Sequence, residues 1–143
     1  MLSGRRCSTT GGVAVLLLFA CSFAHAQRSE RAEAACQTNP SHADIRECLI
    51  AERRKSDWAL RDAEAAVMSR TSRAADSQAE RQRATRELAK ASRLFAQYRD
   101  SQCRWQAALA FGGNGATDRQ LLCAIELNDR RAAQLRQAAD SMQ

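Results

Sequence analysis

The chain has 143 residues and a formal charge of +6 from 22 basic and 16 acidic side chains, with 45% hydrophobic and only 5% aromatic residues. Its six Gly lie at Gly4, Gly11, Gly12, Gly112, Gly113 and Gly115, and its one Pro is Pro40, so residues 41–111 contain neither breaker. That argues against sandwiches and barrels, which need turn residues every ~8–12 positions, and no Gly-rich turn follows a β-branched strand as nucleotide-binding α/β folds require.

Residues 1–26 read as a secretory signal peptide. Arg5 and Arg6 precede an apolar run from Gly11 to Phe23, and Ala24-His25-Ala26 offers small residues for cleavage. The run falls short of the ~20 residues that span a bilayer, which disfavours a membrane anchor. An alternative is a lipoprotein signal at Leu18-Phe19-Ala20-Cys21, with the chain anchored through a lipidated Cys21. Cleavage after Ala26 leaves 117 residues carrying +4, from 20 basic and 16 acidic side chains. The expected location is periplasmic or extracellular.

Four Cys remain after cleavage, Cys36, Cys48, Cys103 and Cys123. An even set in an exported chain reads as two disulfides. Three pairings are possible, and the spacings favour the local ones, Cys36–Cys48 and Cys103–Cys123. Zinc modules present Cys pairs two to four residues apart, and no such pair exists here.

Residues 27–40 are polar and read as a flexible segment tied down at Cys36. The domain proper, residues 41–143, reads as all-α, a small antiparallel three-helix bundle or helical hairpin held by two disulfides. Ser41 with Asp44 starts the first helix, whose stripe is Ile45, Leu49, Ala59, Leu60, Ala63 and Val67, interrupted by Glu52 and Ser56. A single helix from Ser41 to Phe111 would be roughly 105 Å long, so a turn is expected within Ser69–Ser77. The capping box Ser77-x-x-Glu80 then opens the second helix.

The second helix carries a heptad seam, Ala84, Leu88, Ala91, Phe95, Tyr98, Gln102, Trp105 and Leu109. It stops at Gly112-Gly113-Asn114-Gly115. Thr117-Asp118-Arg119-Gln120 reads as another capping box for a third helix, with the seam Leu121, Ile125, Asn128, Ala132, Leu135, Ala139 and Met142. Asp57→Arg61, Asp100→Arg104 and Glu126→Arg130 are i, i+4 pairs suited to exposed faces. The short loop makes the second and third helices antiparallel neighbours. Trp58, Phe95, Tyr98 and Trp105 are expected to give an Ala-rich core its bulk.

No constellation for catalysis, no cofactor motif and no metal-ligand spacing emerges. His42 is the one histidine after residue 26, in a helix's first turn and without a matched partner. Arg53-Arg54-Lys55 and Arg81-x-Arg83 are basic clusters, but interspersed acids and few aromatics make them solvated faces, with no nucleic acid as partner.

The run Phe95-x-x-Tyr98-Arg99-Asp100-x-x-Cys103, then Gly112-Gly113-Asn114, Cys123 and Leu127-x3-Arg131-x3-Leu135, resembles the LprI-like lysozyme-inhibitor family. Upstream, Cys36, Cys48 and Ser56-Asp57-x-x-Leu60 resemble its paired Cys and its Ala-Asp-x-x-Leu segment. The resemblance implies a small exported helical domain that binds a protein, lysozyme, and inhibits it by occluding the active-site cleft. Phe95, Tyr98, Arg99, Asp100, Leu127, Arg131 and Leu135 would be its scaffold. The candidate contact is the loop Gly112–Asp118, with Asn114 and nearby Arg119. The alternative is a non-inhibitory envelope module that binds another protein or an anionic surface.

Overall fold

A computed structural model of the chain describes residues 27–113 and 115–142; the signal-peptide reading and Asn114 therefore lie outside the described residues. Four helices follow one another: α1 (Gln27–Cys36), α2 (His42–Ala74), α3 (Gln78–Ala108) and α4 (Gly115–Ser141). The three long ones are the three predicted from periodicity.

Local chemistry sets their ends. Ser41 caps α2, its hydroxyl accepting from the Asp44 N–H at 3.2 Å. The run of 71 breaker-free residues is divided at 75–77, inside the predicted window. There Ser77 and Glu80 close a full capping box: Ser77 Oγ accepts from Glu80 N at 3.2 Å, and Ser77 N donates to Glu80 Oε2 at 3.0 Å. α4 begins at Gly115, two residues before the expected cap at Thr117.

Residues 27–36, expected to be loose, are helical instead. Ala, Glu, Gln and Arg are strong helix formers even where hydrophobicity is low. The Cys36–Cys48 bridge ties this helix to α2, and Ala32 and Cys36 are buried.

α4 is the central element, packing most extensively on α2 and next on α3, while α2 and α3 touch little. One core cluster joins Leu60 and Ala63 of α2 to Ala132 and Leu135 of α4, with Val67, Leu88 and Phe95 against it. Ala63 and Ala132 are almost wholly buried, and their small side chains leave little room between α2 and α4 for anything larger. A second cluster surrounds the Cys103–Cys123 bridge and includes Ala124 and Leu127.

Three expected core aromatics are on the surface: Trp58, Tyr98 and Trp105 are each more than half exposed. The cause is phase. Cys103 must face α4 to reach Cys123, and a residue two further on points about 200° away, which sends Trp105 outward. Arg99 likewise turns toward α4 and leaves Tyr98 outside. The buried line of α3 runs through Leu88, Ser92, Phe95, Ala96, Arg99 and Cys103, so the heptad seam holds only in its first half.

Candidate functional site

Two polar residues, Ser56 of α2 and Asn128 of α4, interrupt the apolar seams read from the sequence, and the fold brings them together. Asn128 is fully buried. Its amide nitrogen donates to Ser56 Oγ at 3.1 Å and to Asp57 Oδ1 at 2.9 Å, and its oxygen accepts from Arg99 Nη1 at 3.1 Å. One side chain thus joins all three long helices.

Arg99 also donates to Asp100 Oδ1, from Nε at 2.9 Å and from Nη2 at 2.8 Å. Arg53 pairs with Asp57 one turn away. The expected pairs Asp57→Arg61 and Asp100→Arg104 are therefore not the ones formed. Asp57 and Asp100 turn toward the helix interface, and Arg61 instead lies over the Trp58 ring at 5.3 Å. Glu126–Arg130 pairs as expected.

Burial by itself would raise the Asp57 carboxyl. Hydrogen bonds from Arg53 and Asn128, and the charges of Arg53 and Arg99, outweigh it and hold the group below its ordinary value.

From this polar centre an open groove of about 410 Å³ leads past Cys103 to Thr117 and Gln120 in the first two turns of α4. The first of these turns is clamped from α2. His42 Nε2 lies 3.3 Å from Asp118 Oδ2, and Arg46 Nε 3.5 Å from Asp118 Oδ1. His42, which offered no partner in the sequence, has one here.

The α3–α4 loop stands above this anchored base. Phe111 has φ 50°, and Gly112 and Gly113 follow at 95° and 83°. Gly accepts such values freely; an aromatic residue does so at a cost. Phe111 is also 94% exposed, more than any other large hydrophobic residue among the described residues. The loop is held at its base by Cys103–Cys123, with Cα atoms 5.5 Å apart. A strained, solvent-facing aromatic on a braced loop is the form of a contact residue. An aromatic directly before Gly-Gly, past the last turn of a helix, was the only sequence signal for it.

The other sequence-predicted residues divide into groups. Phe95 and Leu135 pack in the core, with the Arg131 guanidinium 5.9 Å from the Phe95 ring centre. Leu127 packs on the disulfide cluster. Arg99 and Asp100 form the polar centre, and Arg99 orients Asn128 as well as flanking Cys103. Arg119 is exposed, on a shallow groove shared with Glu30 and Glu33 of α1. Tyr98 is half exposed, at the rim of a groove between α3 and α4 that Leu94, Phe95 and Leu127 also line. Both predicted bridges are formed. Among the described residues, no group of three or more His, Cys, Asp or Glu is placed to hold a metal ion. No described helix is long and apolar enough to cross a membrane.

The family model for the lysozyme inhibitor LprI matches residues 32–135. The matched span includes all four bridge-forming cysteines, the polar centre and the loop. The chain belongs to the LprI lysozyme-inhibitor family. Neither a curated protein nor a solved structure matches it. LprI membership and the two bridges together point to an exported protein whose partner is another protein.

Proposed function

We propose that this LprI-family chain inhibits lysozyme by steric occlusion of the active-site cleft, and that the α3–α4 loop is the element that enters it. Inhibition by occlusion needs no catalytic group, only a rigid projection. The observation that carries the contact assignment is Phe111, held outward at positive φ on a loop braced by Cys103–Cys123. Bracing lowers the ordering cost of binding. A large aromatic at the tip supplies the buried anchor on which such interfaces depend. Arg119 is exposed near the start of α4, and in this reading its guanidinium is attracted to the paired carboxyl groups of a glycosidase cleft. Asn114 belongs to the same loop in sequence.

The exported chain carries +4, and many lysozymes are themselves basic, so long-range steering does not assist the encounter. Affinity rests on the fit of the loop, and inhibition should vary weakly with salt. Periplasmic or extracellular action follows from the same reading, since lysozyme is met outside the cytoplasm.

The test is inhibition of lysozymes of several types by the oxidised protein, alongside Phe111→Ala and Asn114→Ala/Arg119→Ala. Loss of an aromatic anchor raises the inhibition constant by about 30-fold or more, a cost of ~2 kcal/mol. Full inhibition by both variants removes the loop from the mechanism. Absence of inhibition by the parent protein removes lysozyme as the partner.

A further inference from the structure

The outer face of α3 carries a line of exposed large apolar side chains. Leu94, Tyr98, Trp105 and Leu109 are 56%, 55%, 56% and 44% exposed. At 100° per residue they fall within an arc of about 60°, and they run along about 22 Å of the helix and its C-cap. On one adjoining arc lies an exposed basic row, with Arg83, Arg86, Lys90 and Arg93 in the turns that lead into the stripe and Arg104 alongside it. Glu80 and Glu87 share those leading turns with the basic row and leave it in excess, and Asp100 is paired with Arg99.

Charge is concentrated on the same element. Residues 78–108 hold seven basic and three acidic side chains, a net +4, which equals the net charge of all 117 residues after position 26. α3 is also sparsely tied to the bundle: Cys103 is its one fully buried residue. One helix therefore carries the surplus charge and an unpartnered apolar stripe, side by side.

We infer that this face of α3 is an interfacial surface for an anionic phospholipid bilayer. The stripe sinks to the level of the headgroups and the basic row meets lipid phosphates. An apolar face with aromatic residues beside a Lys/Arg-rich face is the pattern of helices that lie in a bilayer interface. Trp105 and Tyr98 present the apolar body and polar tip that suit that depth. A second copy of the chain is a poor occupant, because pairing two such faces brings two basic rows together. A fluid leaflet can place a phosphate at every basic side chain along the row without a matching register. Neither Phe111 nor Arg119 belongs to this face, so it stands independently of the inhibitory loop.

The experiment is co-sedimentation of the exported protein, both bridges intact, with vesicles of phosphatidylcholine alone and of phosphatidylcholine mixed with phosphatidylglycerol. Binding to the mixed vesicles, weakened by salt, is expected, with little to phosphatidylcholine alone. Trp105 emission, read in a Trp58→Phe background, should shift to the blue on binding. Lys90→Gln/Arg93→Gln/Arg104→Gln should weaken partitioning on the order of 100-fold. Leu94→Ser/Leu109→Ser should weaken it at least about tenfold. Both variants should keep the parent's helical circular dichroism. No partitioning, or equal partitioning into the two vesicle types, overturns the inference. So does binding that the Leu→Ser changes leave intact, which would be charge attraction without insertion. Loss of lysozyme inhibition by the stripe variants, with no vesicle binding by the parent, would make this face a protein-docking surface instead.

Discussion

Replacing Asn128 by Ala tests how the three long helices are held together. Asn128 is fully buried and makes hydrogen bonds at 2.9 to 3.1 Å with Ser56, Asp57 and Arg99. Two of these involve a charged partner, and such bonds contribute roughly 1.5–3 kcal/mol each against about 1 for a neutral pair. Water enters beside Asp57 and Arg99, which are only partly buried, and recovers some of that. Ser56 still donates to the Arg53 carbonyl at 2.8 Å, so its hydroxyl is not orphaned. A net loss of about 2–4 kcal/mol is expected. For a domain of this size that lowers Tm by roughly 8–16 °C. Thermal unfolding by circular dichroism and urea titration measure it. In a double-mutant cycle with Arg99→Ala, the coupling should be about 1 kcal/mol or more. A loss below about 0.5 kcal/mol, or strict additivity with Arg99→Ala, would refute the view that this residue ties α2, α3 and α4 together.

Asp57→Asn should flatten the acid limb of stability. The folded carboxyl is held below its unfolded value, so its contribution is present above the unfolded pKa of about 3.9 and is lost as pH falls through the folded one. Urea midpoints across pH 2–6 should fall more steeply for the parent than for the variant. Cys103→Ser/Cys123→Ser opens a bridge with a sequence separation of 20, costing about 3 kcal/mol in the chain-entropy treatment, and should weaken inhibition beyond the effect on Tm. Ala132→Leu forces a larger side chain between α2 and α4, where Ala132 is fully buried, and should destabilise by about 1–3 kcal/mol in denaturant titration.

Helix ends were legible because each rests on neighbours in sequence. Ser41 with Asp44 and Ser77 with Glu80 are local capping pairs. That a break was needed followed from length, since a small domain has no use for a helix of ~105 Å, and its place within Ser69–Ser77 from the lapse of apolar spacing there and the capping box that follows. The cysteine pairing was favoured by spacing, and the folded chain carries the same pairs. What depended on contacts between distant segments was hidden. α1 is too polar to stand out as a helix, and its place depends on a bridge to α2. Ser56 and Asn128 each looked like a flaw in an apolar seam; two flaws on different helices could have been read as partners. The heptad pattern of α3 continued past the point where Arg99 and Cys103 fix a different face, so Tyr98 and Trp105 were misplaced. For the loop, Gly112 and Gly113 signalled a turn, but the outward projection of Phe111 depends on its backbone angle, which composition does not encode.

The most direct test of the central claim is the inhibition constant of Phe111→Ala against a lysozyme that the parent protein inhibits, with Tm measured on the same samples. Phe111 is almost wholly exposed, so the substitution should leave Tm within about 2 °C of the parent, as surface changes do. The inhibition constant should rise about 30-fold or more. Unchanged inhibition would contradict the assignment of the loop as the element that enters the cleft.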